Sequence, residues 1–190
     1  MIVNERVVAY INSLDCGNSD ICNTIEKEAI ADEVPIIRKE MGNLLKVLLQ
    51  LVQPERILEV GTAVGYSSIL MSENMPEGCI IDTIENYDKR IPIARNNFKR
   101  AGKEDCIRLI EGDAMEVLKE LEGPYDFIFM DAAKGQYINY LPEILRLMPK
   151  GGLLITDNIL QEGELVAVSY THLRAPRLLS ISYAVFCLKK

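Results

Sequence analysis

Hydrophobic residues follow two different spacings along this chain. Before residue 56 they recur every three or four positions, which predicts three amphipathic helices. From Arg56 onward, short apolar runs alternate with helical stretches, a pattern typical of a doubly wound α/β fold with a parallel sheet. The predicted strands are 56–61, 79–85, 107–111, 126–131 and 152–157, and the predicted helices between them begin at about Tyr66 and span 88–101, 114–121 and 137–147.

Composition narrows the class of protein. The chain has 190 residues, 48% of them hydrophobic, which fits one domain with a full core. Its net charge of −7 provides no global positive field that would gather nucleic acid. Five cysteines without a Cys-x-x-Cys pair indicate reduced thiols. Because no apolar run approaches the ~18 residues that span a bilayer, we expect a soluble, cytoplasmic protein with no membrane partner.

A glycine loop follows the first predicted strand. It covers residues 61–65, with glycine at both ends, and runs into the helix at Tyr66. The spacing differs from the Gly-x-Gly-x-x-Gly of dinucleotide sites. Glu85 ends the next strand, where its carboxylate can accept hydrogen bonds from ribose hydroxyls. Together these features predict a nucleoside-containing cofactor; the alternative is a turn and a surface glutamate that bind nothing.

Oxygen-bearing side chains end the last two predicted strands. Asp131 ends one of them, and Asp157 and Asn158 end the other. Two carboxylates and an amide carbonyl form a hard ligand set that suits Mg²⁺, and a hydroxyl bound there would lose its proton more readily. The alternative is that the aspartates only end strands or cap helices. Lys134 is either a general base at this site or a solvated surface residue.

The remaining candidate residues are less specific. Asp113 lies between Gly112 and Ala114 at the end of the third strand, where it either flanks an adenine or caps the next helix. The periodicity around Met41 favours a core position. The only histidine, His172, lies near the C-terminus, so Ser-His-Asp catalysis and His-rich metal sites are not expected in the rest of the chain.

Taken together, the motifs resemble the S-adenosylmethionine- and divalent-metal-dependent O-methyltransferases of the caffeoyl-CoA and catechol superfamily. This resemblance runs from about residue 34 to residue 164 and implies a Rossmann-like methyltransferase fold. It is carried by residues 58–67, Glu85, 112–114, 130–134 and 156–160. It implies that Met41, Gly61, Ser67, Glu85, Asp113, Ala114 and Asp131 contact the methyl donor.

Two further site assignments accompany the resemblance. It implies that Asp131, Asp157 and Asn158 hold Mg²⁺ and that Lys134 is the base. We also assign Glu59 to the cofactor site, because a cationic donor suits a pocket rich in carboxylates.

The acceptor is predicted from a closer resemblance. Val34-Pro35-Ile36 and the run 131–137 are similar to bacterial members that methylate 5-hydroxyuridine at the tRNA wobble position. A catechol or caffeoyl-type phenol is the second candidate acceptor. The same motifs also fit another nucleoside-cofactor enzyme, such as a metal-independent methyltransferase or a dehydrogenase, and an inactive cofactor-binding module. A homodimer would fit the family.

The C-terminal residues depart from the family pattern. Members continue with a helix and two strands, whereas residues 166–190 resemble a translated sequencing adapter. We therefore predict a truncated methyltransferase domain over 1–165 and a non-native tail over 166–190. We expect the C-terminal strands to be missing and the tail to pack poorly.

Overall fold

Three helices precede the sheet, as the periodicity predicted. The computed structural model describes residues 4–157 and 184–188. Asn4 caps the first helix by accepting a hydrogen bond from the Arg6 amide, and Ser19 caps the second by accepting one from the Cys22 amide. The bounds of these helices are Glu5–Ser13 (α1), Asp20–Ala31 (α2) and Lys39–Val52 (α3).

The remaining described elements form a six-stranded sheet and the helices that pack on its two faces. Its strand order is β3-β2-β1-β4-β5-β6, and the first five strands by number are parallel. This confirms the predicted doubly wound fold. The strands are Arg56–Val60 (β1), Ile80–Glu85 (β2), Ile107–Glu111 (β3), Phe127–Met130 (β4), Leu153–Asp157 (β5) and Ala184–Leu188 (β6); the helices are Tyr66–Ser72 (α4), Ile91–Arg100 (α5), Ala114–Glu120 (α6) and Tyr137–Leu147 (α7), with a 3₁₀ turn at Lys134–Gln136.

Each face of the sheet has its own apolar core. Neighbouring strand residues point to opposite faces, so Ile57 packs with α2, α3, α4 and α5 while Leu58 packs with α6 and α7. Burial on both faces explains why the parallel strands are continuous apolar runs. The strand order changes direction at β1, because β2 and β3 lie on one side of it and β4 and β5 on the other. Ligands of such sheets bind outside the carboxyl ends of the strands, at the point where the order changes.

One prediction about the tail is wrong. The prediction is that the C-terminal strands are missing, yet Ala184–Leu188 pairs antiparallel with β5, with Leu154 opposite Cys187. This short run is apolar and β-prone, and it covers the edge that β5 would otherwise expose. The remainder of 158–190 lies outside the described residues, so the adapter origin of the tail stays a prediction.

An ion cluster around the buried Asp82 joins the amino ends of three strands. Asp82 is 1% exposed and accepts hydrogen bonds from Arg56, Arg108 and the Tyr125 hydroxyl, at distances of 2.6 to 3.1 Å. We expect Asp82→Ala to lower the free energy of unfolding by about 1 to 3 kcal/mol, because these donors lose a buried acceptor. Urea denaturation would measure this, with the exposed pair partner Glu116→Ala as the control that should change little.

Candidate active site

The glycine loop is pressed against the end of β4. Gly61 has a φ of +104°, and a Cβ on it would overlap the carbonyl oxygen of Asp131. Gly65 has a φ of +84°, and a Cβ there would lie 2.5 Å from the Phe98 ring. The Asp131 amide in turn donates to the Val60 carbonyl at 3.0 Å. Both glycines are therefore required by backbone conformation and by close approach.

The Glu85 carboxylate is held in place by backbone amides. Its Oε2 accepts from the Ala63 amide at 2.7 Å, and its Oε1 accepts from the Asn86 and Tyr87 amides, each at 3.0 Å. Two carboxylate oxygens offer about four acceptor positions, so capacity remains for a ligand hydroxyl. The Ala63 contact also fixes the loop to the end of β2. Ala63 itself adopts a left-handed conformation with a φ of +48°.

A cavity of about 670 Å³ opens above these residues, a size within the range of cofactor sites. It lies at the carboxyl ends of β1, β2, β4 and β5, where the sheet topology places a ligand. Six of the residues predicted from the sequence line it: Gly61, Ser67, Glu85, Ala114, Asp131 and Asp157.

Three residues predicted to contact the cofactor do not line this cavity, so their contact with the donor stays a prediction. Met41 is 0% exposed in the core, where α3 packs against the sheet. Glu59 lies beneath the cavity wall, also 0% exposed. Asp113 is exposed and caps α6 by accepting from the Met115 amide at 2.9 Å, the second of the two roles predicted for it.

The two aspartates of the predicted metal site lie on neighbouring strands. Met130 is paired with Thr156, so Asp131 and Asp157 follow at adjacent positions, and both line the cavity. The Tyr137 hydroxyl lies 3.2 Å from the Met130 carbonyl and 3.3 Å from the Asp157 carbonyl and donates to them. Burial, followed by the charge of Asp131, raises the pKa of Tyr137. Tyr137 thus ties the two strand ends together, a role that its position at a helix start did not reveal.

The structure does not describe the third predicted metal ligand or the side chain of the predicted base. Asn158 lies outside the described residues, and Lys134 begins the 3₁₀ turn after β4, with its side chain undescribed. Within residues 4–157 and 184–188, no group of three or more His, Cys, Asp or Glu side chains is arranged to hold a metal. The two aspartates nonetheless fit Mg²⁺, which commonly uses one or two carboxylates and keeps several waters.

Glu59 supports the loop from below. Its carboxylate accepts hydrogen bonds from the hydroxyls of Ser67 at 2.5 Å, Thr83 at 2.6 Å and Ser68. Burial is the main reason that the pKa of Glu59 is raised, to about 7. This carboxylate therefore connects β1, β2 and the first turn of α4.

Several residues of the cavity wall were not among the predicted site residues. Residues 35–38, which precede α3, contribute apolar side chains and Arg38, and Arg90 lies at the start of α5. The Arg90 guanidinium lies over the Tyr87 ring, 5.3 Å from its centre. The only signal for the 35–38 segment was its place in the family resemblance, because its spacing matches neither a helix nor a strand.

Comparison with known proteins identifies the family. The family model described as O-methyltransferase matches residues 18–185. The chain belongs to this O-methyltransferase family. It is 35% identical over 169 residues to a catechol O-methyltransferase of Niastella koreensis, covering 85% of this chain and 76% of that protein. It is 36% identical over 136 residues to caffeoyl-CoA O-methyltransferase 2 of Populus trichocarpa, covering 66% of this chain and 53% of that protein.

A solved structure supports the same assignment. The O-methyltransferase of Bacillus cereus in complex with SAH superposes with a TM-score of 0.79 at 29% identity, covering 87% of this chain and 79% of that one. The chain therefore shares the fold of an O-methyltransferase that was solved in complex with SAH. Within the described part of the chain, no helix is long and apolar enough to cross a membrane.

Glu85 provides a direct test of the donor site. We expect Glu85→Ala to weaken S-adenosylmethionine binding by about 1 to 3 kcal/mol, because charge-assisted hydrogen bonds to ribose are lost. Titration calorimetry would measure the change. Glu111→Ala is the matched control, since Glu111 is paired with Glu85 in the sheet register but does not line the cavity. Equal affinities for Glu85→Ala and the parent chain would refute the ribose assignment.

Proposed function

We propose that this chain is a metal-dependent O-methyltransferase that methylates an acidic hydroxyl, with Mg²⁺ held by Asp131, Asp157 and Asn158. One observation carries the proposal: two carboxylates from adjacent strand ends line the same cavity as the glycine loop and Glu85. Mg²⁺ bound there would orient the acceptor hydroxyl and lower its pKa.

The side chains of the cavity suit methyl transfer from the sulfonium of S-adenosylmethionine, the proposed donor. This reaction is an in-line displacement, so the protein acts mainly by holding the donor and the acceptor in the reactive orientation. Glu85 would hold the ribose, and the carboxylates in the wall favour a cationic donor. No covalent nucleophile is needed. Lys134, three residues after Asp131, is proposed as the base that accepts the proton of the acceptor hydroxyl.

The acceptor proposed from the sequence is 5-hydroxyuridine of tRNA. Its acidic enol oxygen is suited to Mg²⁺, and Arg38 and Arg90 in the cavity wall would favour an approaching phosphate backbone. Lys39 follows Arg38 at the start of α3 and is exposed, so it would extend this positive surface.

A catechol-type phenol is the second candidate, and the ion pairs favour it. Several cations that could otherwise extend a tRNA-binding surface are already engaged: Arg95 pairs with Glu111, and Arg100 pairs with Glu28. The Lys46 ammonium donates to the Gly17 carbonyl at 3.0 Å. A small phenol needs none of these cations, and the net charge of −7 does not oppose its binding. A homodimer, as the family suggests, is compatible with either acceptor.

An assay with both acceptors decides between them. Labelled S-adenosylmethionine would be offered with catechol and, separately, with tRNA that carries 5-hydroxyuridine. If tRNA is the substrate, Arg38→Glu should reduce its methylation at least about tenfold more than that of catechol, because the variant repels phosphates. Lys150→Glu is the charge-matched control, since this exposed residue lies before the amino end of β5, at the opposite edge of the sheet. Label in catechol but never in tRNA would exclude the tRNA proposal.

A further inference from the structure

The Tyr137 hydroxyl lies behind the two aspartates of the proposed metal site. Tyr137 is 4% exposed and does not line the cavity. Its hydroxyl donates to the Met130 carbonyl at 3.2 Å and to the Asp157 carbonyl at 3.3 Å. Both distances exceed that of a single O–H···O bond, as expected when two acceptors share one proton. One buried side chain thus holds the ends of two strands.

The two carbonyls belong to the backbone that carries the metal ligands. The Met130 carbonyl is part of the peptide bond to Asp131, and the second carbonyl is that of Asp157 itself. The pairing of β4 with β5 ends at Met130 and Thr156, one residue before each aspartate. The hydroxyl therefore joins the two strands just beyond their last paired residues. The separation of the two carboxylates depends on this contact.

The connection after β4 brings Tyr137 to this position. A 3₁₀ turn at Lys134–Gln136 leads into α7, which begins at Tyr137. The Gln136 amide donates to the Ala133 carbonyl at 2.9 Å, and the Tyr137 side chain packs in the core on the α6 and α7 face of the sheet. Because the connection is short and the ring is packed, the hydroxyl has little freedom to move. It can therefore act as a rigid spacer.

The spacing of two carboxylates matters more to Mg²⁺ than to Ca²⁺. Mg²⁺ demands near-ideal octahedral geometry with oxygens at about 2.0–2.1 Å, whereas Ca²⁺ accepts oxygens at about 2.3–2.6 Å in a flexible arrangement. If the ligand pair becomes looser, the smaller ion loses more of its binding free energy than the larger ion. A rigid spacer between the aspartates would therefore affect the choice of metal as well as its affinity.

We propose that Tyr137 is a positioning residue that sets the spacing of Asp131 and Asp157 and so makes the site prefer Mg²⁺ to Ca²⁺. This role rests on the proposed function, which assigns a divalent metal to the two aspartates. Tyr137 is not itself a ligand, because its hydroxyl acts through the two backbone carbonyls. Residues that orient metal ligands in this indirect way commonly change the affinity for the metal.

The test measures metal binding without any methyl transfer. Protein-bound Mn²⁺ loses the sharp EPR signal of free Mn²⁺, so displacement of Mn²⁺ by Mg²⁺ or by Ca²⁺ gives the affinity for each ion. We expect Tyr137→Phe to weaken Mg²⁺ binding about tenfold and Ca²⁺ binding less than about threefold. Tyr125→Phe is the matched control, because Tyr125 is also buried and its hydroxyl donates to Asp82 at 2.6 Å, near the amino ends of the strands. This control should leave both affinities unchanged.

Two further measurements separate the ways in which the proposal can fail. Asp157→Asn should weaken Mn²⁺ binding more than about tenfold, and if it does not, the proposed metal site fails and the role of Tyr137 with it. If Asp157→Asn loses the metal but Tyr137→Phe keeps the parent ratio of Mg²⁺ to Ca²⁺ affinity, only the role of Tyr137 is overturned, since a purely structural role predicts no distinction between the ions. If Tyr137→Phe is partly unfolded, the metal concentrations that restore its circular dichroism give the same two affinities, because a metal that binds only the native state shifts the folding equilibrium.

Discussion

Replacing Asp157 by Asn is expected to reduce the rate of methyl transfer by about three orders of magnitude. The substitution keeps the side-chain shape and removes one of the two negative charges in the described part of the metal site. Metal-ion stabilisation of a reacting oxygen is worth several kcal/mol, and each ~1.4 kcal/mol changes the rate tenfold. Asp157 is 3% exposed, so solvent cannot replace its charge.

The same variant should bind the donor almost as well as the parent chain. The glycine loop follows β1 and Glu85 ends β2, and both are expected to hold the donor. Asp157 ends β5 instead. Single-turnover kinetics with labelled S-adenosylmethionine would give the rate, and calorimetry would give the affinity. Asp105→Asn, at an exposed position before β3, is the control. A variant with unchanged rate would show that Asp157 does not serve catalysis.

The second large effect is expected from Gly61→Ala. Alanine is disfavoured at a φ of +104°, and its Cβ would overlap the Asp131 carbonyl oxygen, so the loop must move away from β4. Strained backbone of this kind costs about 1 to 3 kcal/mol, before the overlap is counted. We expect donor binding to become undetectable and the free energy of unfolding to fall by at least that amount.

Gly78→Ala separates the two causes. Gly78 has a φ of +83°, and a Cβ there meets no atom within 4 Å. It should therefore lose only about 1 to 2 kcal/mol of stability from the left-handed backbone and keep full donor affinity. Urea denaturation and calorimetry on both variants would make the comparison. If Gly61→Ala bound the donor normally, the loop could not form the site as described.

The spacing of apolar residues and glycines in the sequence was enough to predict the elements that depend on neighbouring residues alone. The apolar run that ends at Val60 and the glycines at 61 and 65 indicated a strand, a tight loop and a helix in that order, and the structure confirms them. The end of β2 at Glu85 also followed from the alternation, and the parallel topology then placed its carboxylate beside the loop.

Hydrogen-bond partners that form only on folding were beyond such reasoning. Glu59 had the same appearance in the sequence as Glu85, because both are carboxylates at or near a strand end. The pleat turns Glu59 towards Ser67 and Ser68 under the loop, whereas Glu85 projects at the rim. Tyr137 gave no signal either, since its two carbonyl partners belong to different strands.

The most direct measurement of metal-dependent methyl transfer is label transfer from S-adenosylmethionine to an acidic hydroxyl in the presence and absence of free divalent metal. Catechol is the simplest acceptor, and tRNA that carries 5-hydroxyuridine should be tested in parallel. We predict that excess chelator abolishes transfer and that added Mg²⁺ restores it, while Asp157→Asn stays inactive under both conditions. Full transfer in excess chelator would contradict the proposed mechanism and would identify a metal-independent methyltransferase.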